Sequence, residues 1–163
     1  MSDKVRPCIT FKDRAEEAVK FYVSLFPNSR IKELTRNESD AGPLRKGTLL
    51  AAIFELDGRE FRAFDGGETF TFSEGVSLDV TCKTQAEVDK YWNALVADGG
   101  EEGPCGWLKD RFGLSWQIVP EQLGQMISDP KSGNAEACLN AMLKMKKLDI
   151  ATLEKAYRGS PVA

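Results

Sequence analysis

An internal repeat limits the folds open to this chain more than any other feature of the sequence. "AVKFYVSL" at 18–25 matches "VDKYWNAL" at 88–95, 70 positions later. "GREFRAF" at 58–64 matches "GLSWQIV" at 113–119 with an offset of 55, which aligns Arg62 with Gln117. The smaller second offset indicates a second copy with a shorter middle. We interpret the copies as two open units that pair around a shared core, because neither closes alone.

The first copy has the order strand, helix and three strands. "RPCITF" predicts a strand, and the apolar spacing in "DRAEEAVKFYVSLFP" predicts a helix that Pro27 ends. Asp13 is the predicted N-cap of this helix, with Glu16 as its capping-box partner. "SRIKELTR" predicts a second strand. "TLLAAIFELDGREFRAF" predicts two more strands joined at Asp57 and Gly58, a strong hairpin signal.

The second copy follows a linker, "DGGETFTFSEG". "VSLDVTC" predicts a strand, "TQAEVDKYWNALVADGG" a helix, and "CGWLKDRFGLSWQIVP" two strands around a solvated turn, "KDRFG". After residue 120 the repeat stops, and "EQLGQMI", "NAEACLNAMLKMKK" and "DIATLEKAY" predict helices, the last capped by Asp149. The predicted fold class is therefore α+β, two paired βαβββ modules with C-terminal helices. We expect a single domain over 1–163, with modules at 4–67 and 75–120 and a helical extension at 121–159.

The sequence contains no histidine, which excludes Ser-His-Asp and Cys-His catalytic sites. The formal net charge of −3 argues against nucleic acid as a partner, and no apolar run predicts a membrane span. The N-terminal residues show no apolar segment typical of a signal peptide, so we expect a cytoplasmic protein. Reduced thiols are expected at the four separated cysteines, Cys8, Cys82, Cys105 and Cys138.

Four segments carry a resemblance to a known family. They are "AEEAVKFYVSLFPNSRI", "FELDGREFRAFDGG", "CGWLKDRFGLSWQIVP" and "AMLKMKKLDIATLEKAYRG", and they span nearly the whole chain. Their order and spacing resemble the PhnB-like subgroup of the vicinal oxygen chelate superfamily, which includes glyoxalase, bleomycin-resistance protein and extradiol dioxygenase. Members of the subgroup are often labelled 3-demethylubiquinone-9 3-methyltransferase. The resemblance implies paired βαβββ modules that form a cup-shaped mixed sheet, and usually a homodimer.

The methyltransferase label finds no support in the glycine pattern. An enzyme that binds S-adenosylmethionine normally has a Gly-rich turn between its first strand and the following helix. Here the first strand leads into "FKDRAEEA", which has no glycine, and neither "DGGE" nor "DGGEEGPCG" forms GxGxxG. We therefore do not expect methyl transfer from S-adenosylmethionine.

In metal-using relatives, each module supplies two ligands to the cup, one from its first strand and one from its last. The resemblance implies that the last-strand positions are occupied here by Arg62 and Gln117. The first-strand positions are either Pro7 or Cys8, and either Ser77 or Leu78. A shift of one residue reverses the face of a strand, so the sequence leaves both pairs open.

Strand alternation divides the last strands into two faces. Phe61, Ala63, Trp116 and Ile118 form an apolar set suited to packing beneath the helices. The opposite set is mixed in polarity and suits a cup lining; its members are Arg62, Phe64, Ser115, Gln117 and Val119. The alternative is that Arg62 simply faces water, because half-exposed sheets alternate in the same way. The predicted ligand contacts are Cys8, Arg62, Phe64, Ser77 and Gln117.

These residues predict no metal site and no cofactor, because a guanidinium repels a cation and an amide is a weak ligand for a divalent ion. We predict a metal-independent protein that binds a small anionic or aromatic ligand. The alternative is a metal-independent enzyme that uses Cys8 as a nucleophile, with a thiol pKa lowered by Arg62 nearby, or a carboxylate such as Glu60 or Asp79. The expected partners are a small molecule and a second copy of the chain, without nucleic acid or membrane.

Overall fold

The computed structural model describes residues 4–42, 44–131 and 133–159. The chain divides into two compact units, Met1–Thr71 and Phe72–Ala163. The boundary lies inside the linker that separates the two sequence copies, and the C-terminal helices belong to the second unit. The expectation of one domain remains a prediction. In the described parts of the chain, no helix has both the length and the apolar character needed to cross a bilayer.

The first unit has the predicted order of one strand, one helix and three strands. Strand β1 pairs in parallel with β4, while β3 pairs antiparallel with both β4 and β2. The resulting sheet has the order β1-β4-β3-β2. Its elements are β1 (Cys8–Phe11), α1 (Ala15–Leu25), β2 (Arg30–Arg36), β3 (Leu49–Leu56) and β4 (Arg59–Asp65).

The start of α1 differs from the sequence prediction. Arg14, not Asp13, is the N-cap residue, and its side chain makes no capping hydrogen bond. The carboxylate of Asp65, at the end of β4, instead accepts the backbone N–H of Ala15 at 2.8 Å. Asp65, which is distant in sequence, thus caps the helix in place of Asp13. Any carboxylate near a helix N-terminus can accept a free backbone N–H.

The Asp57-Gly58 turn is confirmed, and it fixes the register of β3 against β4. Both residues have positive φ, 47° and 77°, as a two-residue hairpin turn requires. The register that follows places Phe54 opposite Phe61. Their rings stack at 5.5 Å between centroids, and both side chains are buried against α1. The turn therefore decides which residues of β4 enter the core.

The second unit repeats the same topology in a sheet of order β5-β8-β7-β6. Strand β5 is parallel to β8, and β7 is antiparallel to β8 and β6. The Thr84 side chain caps α2 by accepting the N–H of Glu87, and the buried face of α2 consists of Val88, Tyr91, Trp92 and Leu95. The elements are β5 (Leu78–Cys82), α2 (Gln85–Val96), β6 (Glu101–Glu102), β7 (Trp107–Lys109) and β8 (Ser115–Pro120).

The turn between β7 and β8 corrects the prediction of a solvated "KDRFG". Asp110 is only 2% exposed. Its carboxylate accepts the indole N–H of Trp116 and the backbone N–H groups of Phe112 and Leu114. Gly113 has a φ of 87°, as expected for the turn. The carboxylate is buried because it lies inside the turn and accepts hydrogen bonds from the backbone of that turn.

Three helices complete the second unit: α3 (Glu121–Ser128), α4 (Ala135–Met142) and α5 (Ile150–Arg158). Asp149 caps α5 as predicted, and Gly159 ends it with a φ of 65°. Cys138 of α4 is buried in a cluster with Leu123, Met126, Leu148 and Leu153. Met142 and Met145 are partly buried against this cluster, as their flexible apolar side chains allow.

Candidate functional site

Each sheet has one face covered by a helix and one open face. Phe61, Ala63, Trp116 and Ile118 are each at most 5% exposed, so the apolar set is confirmed as core. The alternate positions form the open faces. Among them Arg62 is exposed, Phe64, Gln117 and Val119 are half-buried, and Ser115 is buried. The alternation was predictable because a strand reverses its side chains at every residue.

The register of the first sheet places Cys8 opposite Arg62. The pair after it, Ile9 and Ala63, is buried beneath α1, so Cys8 and Arg62 share the open face. Of the two first-strand alternatives, Cys8 rather than Pro7 is therefore the neighbour of Arg62. The Arg62 guanidinium lies 5.8 Å from the centroid of the Phe64 ring, within cation–π range. Cys8, Arg62 and Phe64, three of the predicted ligand contacts, are thus adjacent and form one patch.

The carboxylates near this patch are engaged by other cations. Glu60 binds Lys32 at 2.7 Å and also binds Arg6. Hydrogen bonds from Lys32, and then from Arg6, lower the pKa of the Glu60 carboxyl, so it stays ionised at neutral pH. Glu55 binds Arg30 at 2.8 Å. Within the described residues, no carboxylate is paired with Arg62, whose charge is available at the surface.

The second sheet presents a different set of groups. Gln117 lies opposite Asp79 on one side and Trp107 on the other, forming a row across β5, β8 and β7. The Gln117 Nε2 donates to Ser77 Oγ at 2.9 Å. Ser77, rather than Leu78, therefore shares the open face, because Leu78 is opposite the buried Trp116. No hydrogen bond or ion pair joins Asp79 to another of the described residues.

Sequence comparison missed the correspondence between Cys8 and Asp79. Each is the direct parallel partner of the aligned last-strand residue, Arg62 or Gln117. The offset between them is 71, whereas the helices align at 70, so the second copy has one residue fewer between strand and helix. That one-residue deletion would have been visible if the strands and helices had been aligned separately.

A metal ion does not fit these positions. The superfamily implies up to four ligands from the two modules, and the last strands supply here a guanidinium and an amide. A guanidinium repels a cation, and divalent ions prefer carboxylate, imidazole or thiolate. In the parts that the structure describes, no group of three or more His, Cys, Asp or Glu side chains is placed to hold a metal ion. The absence of a metal remains a prediction, based on this donor set.

The cysteines differ in exposure. Cys8 is exposed, Cys105 is intermediate, and Cys82 and Cys138 are buried. Burial, with a smaller contribution from Glu87 and Asp79, raises the pKa of the Cys82 thiol to about 12. Burial also raises the pKa of the Cys138 thiol. Neither buried thiol is a nucleophile at neutral pH, because the thiolate is the reactive form.

A cavity of about 840 Å³ lies elsewhere in the first unit, between the start of α1 and the loop that precedes β3. Its basic side chains are mostly engaged: Arg14 pairs with Glu17, and Arg36 and Lys20 pair with Glu16. Charge in this cavity is therefore nearly balanced by ion pairs within the protein. The open sheet faces remain the better candidates for a ligand.

Comparison with known proteins agrees with this topology. The sequence profile of a family named 3-demethylubiquinone-9 3-methyltransferase matches residues 3–119. A Bacillus cereus protein that carries the same name, and also the name PhnB, is 36% identical; the match covers 72% of this chain and 99% of that one, with a TM-score of 0.65. The chain belongs to this PhnB-like family. The family lies in the glyoxalase, or vicinal oxygen chelate, superfamily, which confirms the resemblance and the fold class.

More distant structures share the fold of this PhnB-like protein. Protein PA1353 from Pseudomonas aeruginosa is 20% identical, covers 74% of this chain and 98% of its own, and has a TM-score of 0.61. The fosfomycin resistance protein FosX from Listeria monocytogenes is 15% identical, with coverages of 77% and 96% and a TM-score of 0.56. A search of curated proteins finds no match. The methyltransferase in the family name has no counterpart in the described residues, whose two mixed sheets differ from the parallel sheet that usually binds S-adenosylmethionine.

Proposed function

We propose that this PhnB-like protein binds a small anionic or aromatic molecule without a metal ion. The observation that supports the proposal most is the state of Arg62. Its guanidinium is exposed on the open face of the first sheet, and no carboxylate among the described residues is paired with it. The nearby carboxylates, Glu55 and Glu60, are neutralised by other cations.

The neighbours of Arg62 define the rest of the proposed contact. A guanidinium offers a rigid fork of donors that matches a carboxylate or phosphonate. The Phe64 ring lies 5.8 Å from the guanidinium and gives an aromatic ligand a surface for stacking. Cys8 borders the patch across the parallel pairing of β1 and β4. Ser77 and Gln117 remain predicted ligand contacts, on the open face of the second sheet.

Thermal unfolding in the presence of matched compounds tests this function. Phenylphosphonate and 3-phenylpropionate should raise the melting temperature of the wild type in proportion to ligand occupancy, whereas 3-phenylpropanol should raise it far less. Arg62→Ala should abolish the protection. Arg59→Ala is the matched control, because Arg59 is an exposed arginine of the same strand that points to the other side.

Protection that survives in Arg62→Ala would overturn the proposal, as would equal protection by the neutral alcohol. A failure of every anion to protect the wild type at millimolar concentration would do the same. Arg62→Lys separates charge from geometry, since a lysine keeps the charge but loses the fork. We expect it to retain only part of the protection.

The pairing of Cys8 with Arg62 favours one alternative, a metal-independent enzyme with Cys8 as its nucleophile. Cys8 is exposed and lies opposite Arg62 in the parallel pairing of β1 and β4. The rate of alkylation of Cys8 against pH tests this role. A rate equal to that of a model thiol at pH 7, with Arg62→Ala unchanged, would exclude it. Glu60 is a weaker candidate, because Lys32 and Arg6 already engage it.

The homodimer is likewise part of the proposal. Relatives in this superfamily usually pair, and the expectation from the sequence is a second copy of the same chain. Light scattering coupled to size-exclusion chromatography measures the mass directly. A mass near 36 kDa, twice that of the 18.0 kDa chain, is expected, and a monomer across the micromolar range would contradict it.

A further inference from the structure

The open face of the second sheet differs in charge from the face that carries Arg62. Its central row consists of Asp79, Gln117 and Trp107, each opposite the next on adjacent strands. Asp79 is exposed and Trp107 is half-buried. Since paired residues share a face, the row presents a carboxylate, an amide and an indole on one side of the sheet.

The hydrogen bond to Ser77 sets the polarity of the central amide. Gln117 Nε2 is occupied as a donor to Ser77 Oγ, at 2.9 Å. That bond uses one of the two N–H groups of Nε2 and leaves the Oε1 of Gln117 free to accept from a ligand. Together with the Asp79 carboxylate, which has no partner among the described residues, the row offers acceptors to a ligand and no charged donor.

The indole of Trp107 borders a hollow of about 340 Å³ next to this row. Pro104, Ser115 and the carboxylates of Glu74, Glu101 and Glu102 also line it. Lys109 is the one cation of the lining, and Glu74 neutralises it at 2.5 Å. The lining holds three carboxylates and one cation, and no side-chain hydrogen bond or ion pair of Glu101 occurs among the described residues, so the hollow keeps a net negative charge.

We propose that this face binds an organic cation, a primary ammonium or guanidinium group joined to an apolar or aromatic body. The cationic group would donate to Asp79 and to Gln117 Oε1, and the body would lie against Trp107 and in the hollow. Strands are about 4.8 Å apart, so the two ends of the row are roughly 10 Å apart, which suits a ligand with a short spacer. Indole is the ring that attracts cations most strongly.

Indole N–H resonances in a ¹H–¹⁵N spectrum give a local readout. Trp116 is buried and donates to Asp110, and Trp92 is buried and donates to Glu102, which also lines the hollow. The Trp107 signal is the readout, because its ring lies on the open face itself. Trp107→Phe assigns it by its disappearance. The probe is 3-phenylpropylammonium, and 3-phenylpropanol and 3-phenylpropionate have the same skeleton with neutral and negative ends.

The cation should shift the Trp107 signal saturably, and the alcohol and the acid should not. Asp79→Asn should raise the dissociation constant roughly threefold to tenfold, as expected for the loss of one exposed charge-assisted contact. Glu136→Gln, which neutralises an exposed carboxylate on α4, should leave the dissociation constant unchanged. An equal shift by the alcohol, or no effect of Asp79→Asn, would overturn the proposal.

This proposal does not rest on Arg62, although it assigns Gln117 to a cation and not to the anionic ligand, and the variants separate the two sites. Arg62→Ala should leave the response to 3-phenylpropylammonium intact, and Asp79→Asn should leave the protection by 3-phenylpropionate intact. A cation response without anion protection would support the second-sheet site and reject the proposed function. Anion protection without a cation response would do the reverse.

Discussion

The indole N–H of Trp116 donates to Asp110 Oδ2 at 2.8 Å, and both side chains are almost fully buried. The other oxygen of the carboxylate accepts two backbone N–H groups of the turn, from Phe112 and Leu114. One carboxylate thus connects the turn between β7 and β8 to the core residue that follows it. The arrangement explains why a charged residue occupies the interior of a hairpin.

Asp110→Ala should lower the free energy of unfolding by roughly 2–4 kcal/mol, because several buried donors would lose their acceptor at once. Urea unfolding at pH 7 measures the change. Glu136→Ala, at an exposed position on α4, is the control and should change stability by less than about 0.5 kcal/mol. A loss below about 1 kcal/mol for Asp110→Ala would mean that water satisfies these donors equally well.

Gly106 and Gly124 should respond in opposite directions to alanine. A Cβ at Gly106 would lie 2.8 Å from the carbonyl oxygen of Ile118, and the residue has a φ of 85°. We expect a loss of at least about 2 kcal/mol there. Gly124 lies within α3 with open space around its Cα, so alanine should stabilise by roughly 0.5–1 kcal/mol. Thermal unfolding of the two variants gives the comparison, and a change of the same sign in both would contradict it.

Gln85 attaches the C-terminal helices to α2. Its Oε1 accepts the N–H of Ile150, the first residue of α5, and its Nε2 donates to the carbonyl of Leu148. Gln85→Ala should therefore speed amide hydrogen exchange in α5, because the free energy needed to open this helix should fall by about 1–2 kcal/mol. Gln125→Ala, at an exposed position of α3, is the matched control. Unchanged exchange in α5 would show that the apolar cluster around Leu153 holds the helix alone.

Cys82 should make the protein less stable at alkaline pH. Its thiol is buried and has a pKa of about 12 in the folded chain, against roughly 8.5 for an ordinary thiol. Between these values the unfolded chain loses the proton and the folded chain keeps it, so stability is present below about pH 8.5 and falls as pH rises toward 12. Urea unfolding at pH 7.5 and 10 should show a steeper loss for the wild type than for Cys82→Ala. Parallel losses would contradict the raised pKa.

Periodicity was sufficient to predict most strands and helices of both units and their apolar faces, but not the two-residue strand β6 or the burial of Ser115. The Asp57-Gly58 turn and the alternation through Arg62 and Gln117 are local properties, and the structure confirms both. Contacts between distant segments were not predictable in this way. The capping of α1 by Asp65 and the burial of Asp110 depend on which side chains the fold brings together. The same holds for Asp79. Its position opposite Gln117 follows from the pairing register of β5 and β8, which cannot be read from a single sequence.

The parallel pairing of β1 with β4 also has a consequence for the timing of folding. Strand β1 is made before β4, its neighbour in the described part of the first sheet, and the hydrogen bond from Ala15 to Asp65 joins positions 50 residues apart. During synthesis on the ribosome, neither the pairing of β1 nor the cap of α1 can form until β4 has emerged. Contacts of such long range slow folding, so the nascent first unit exposes an unpaired strand for several seconds at about 5–20 residues per second. Chaperone dependence of this chain should accordingly be greatest before residue 65 has left the exit tunnel.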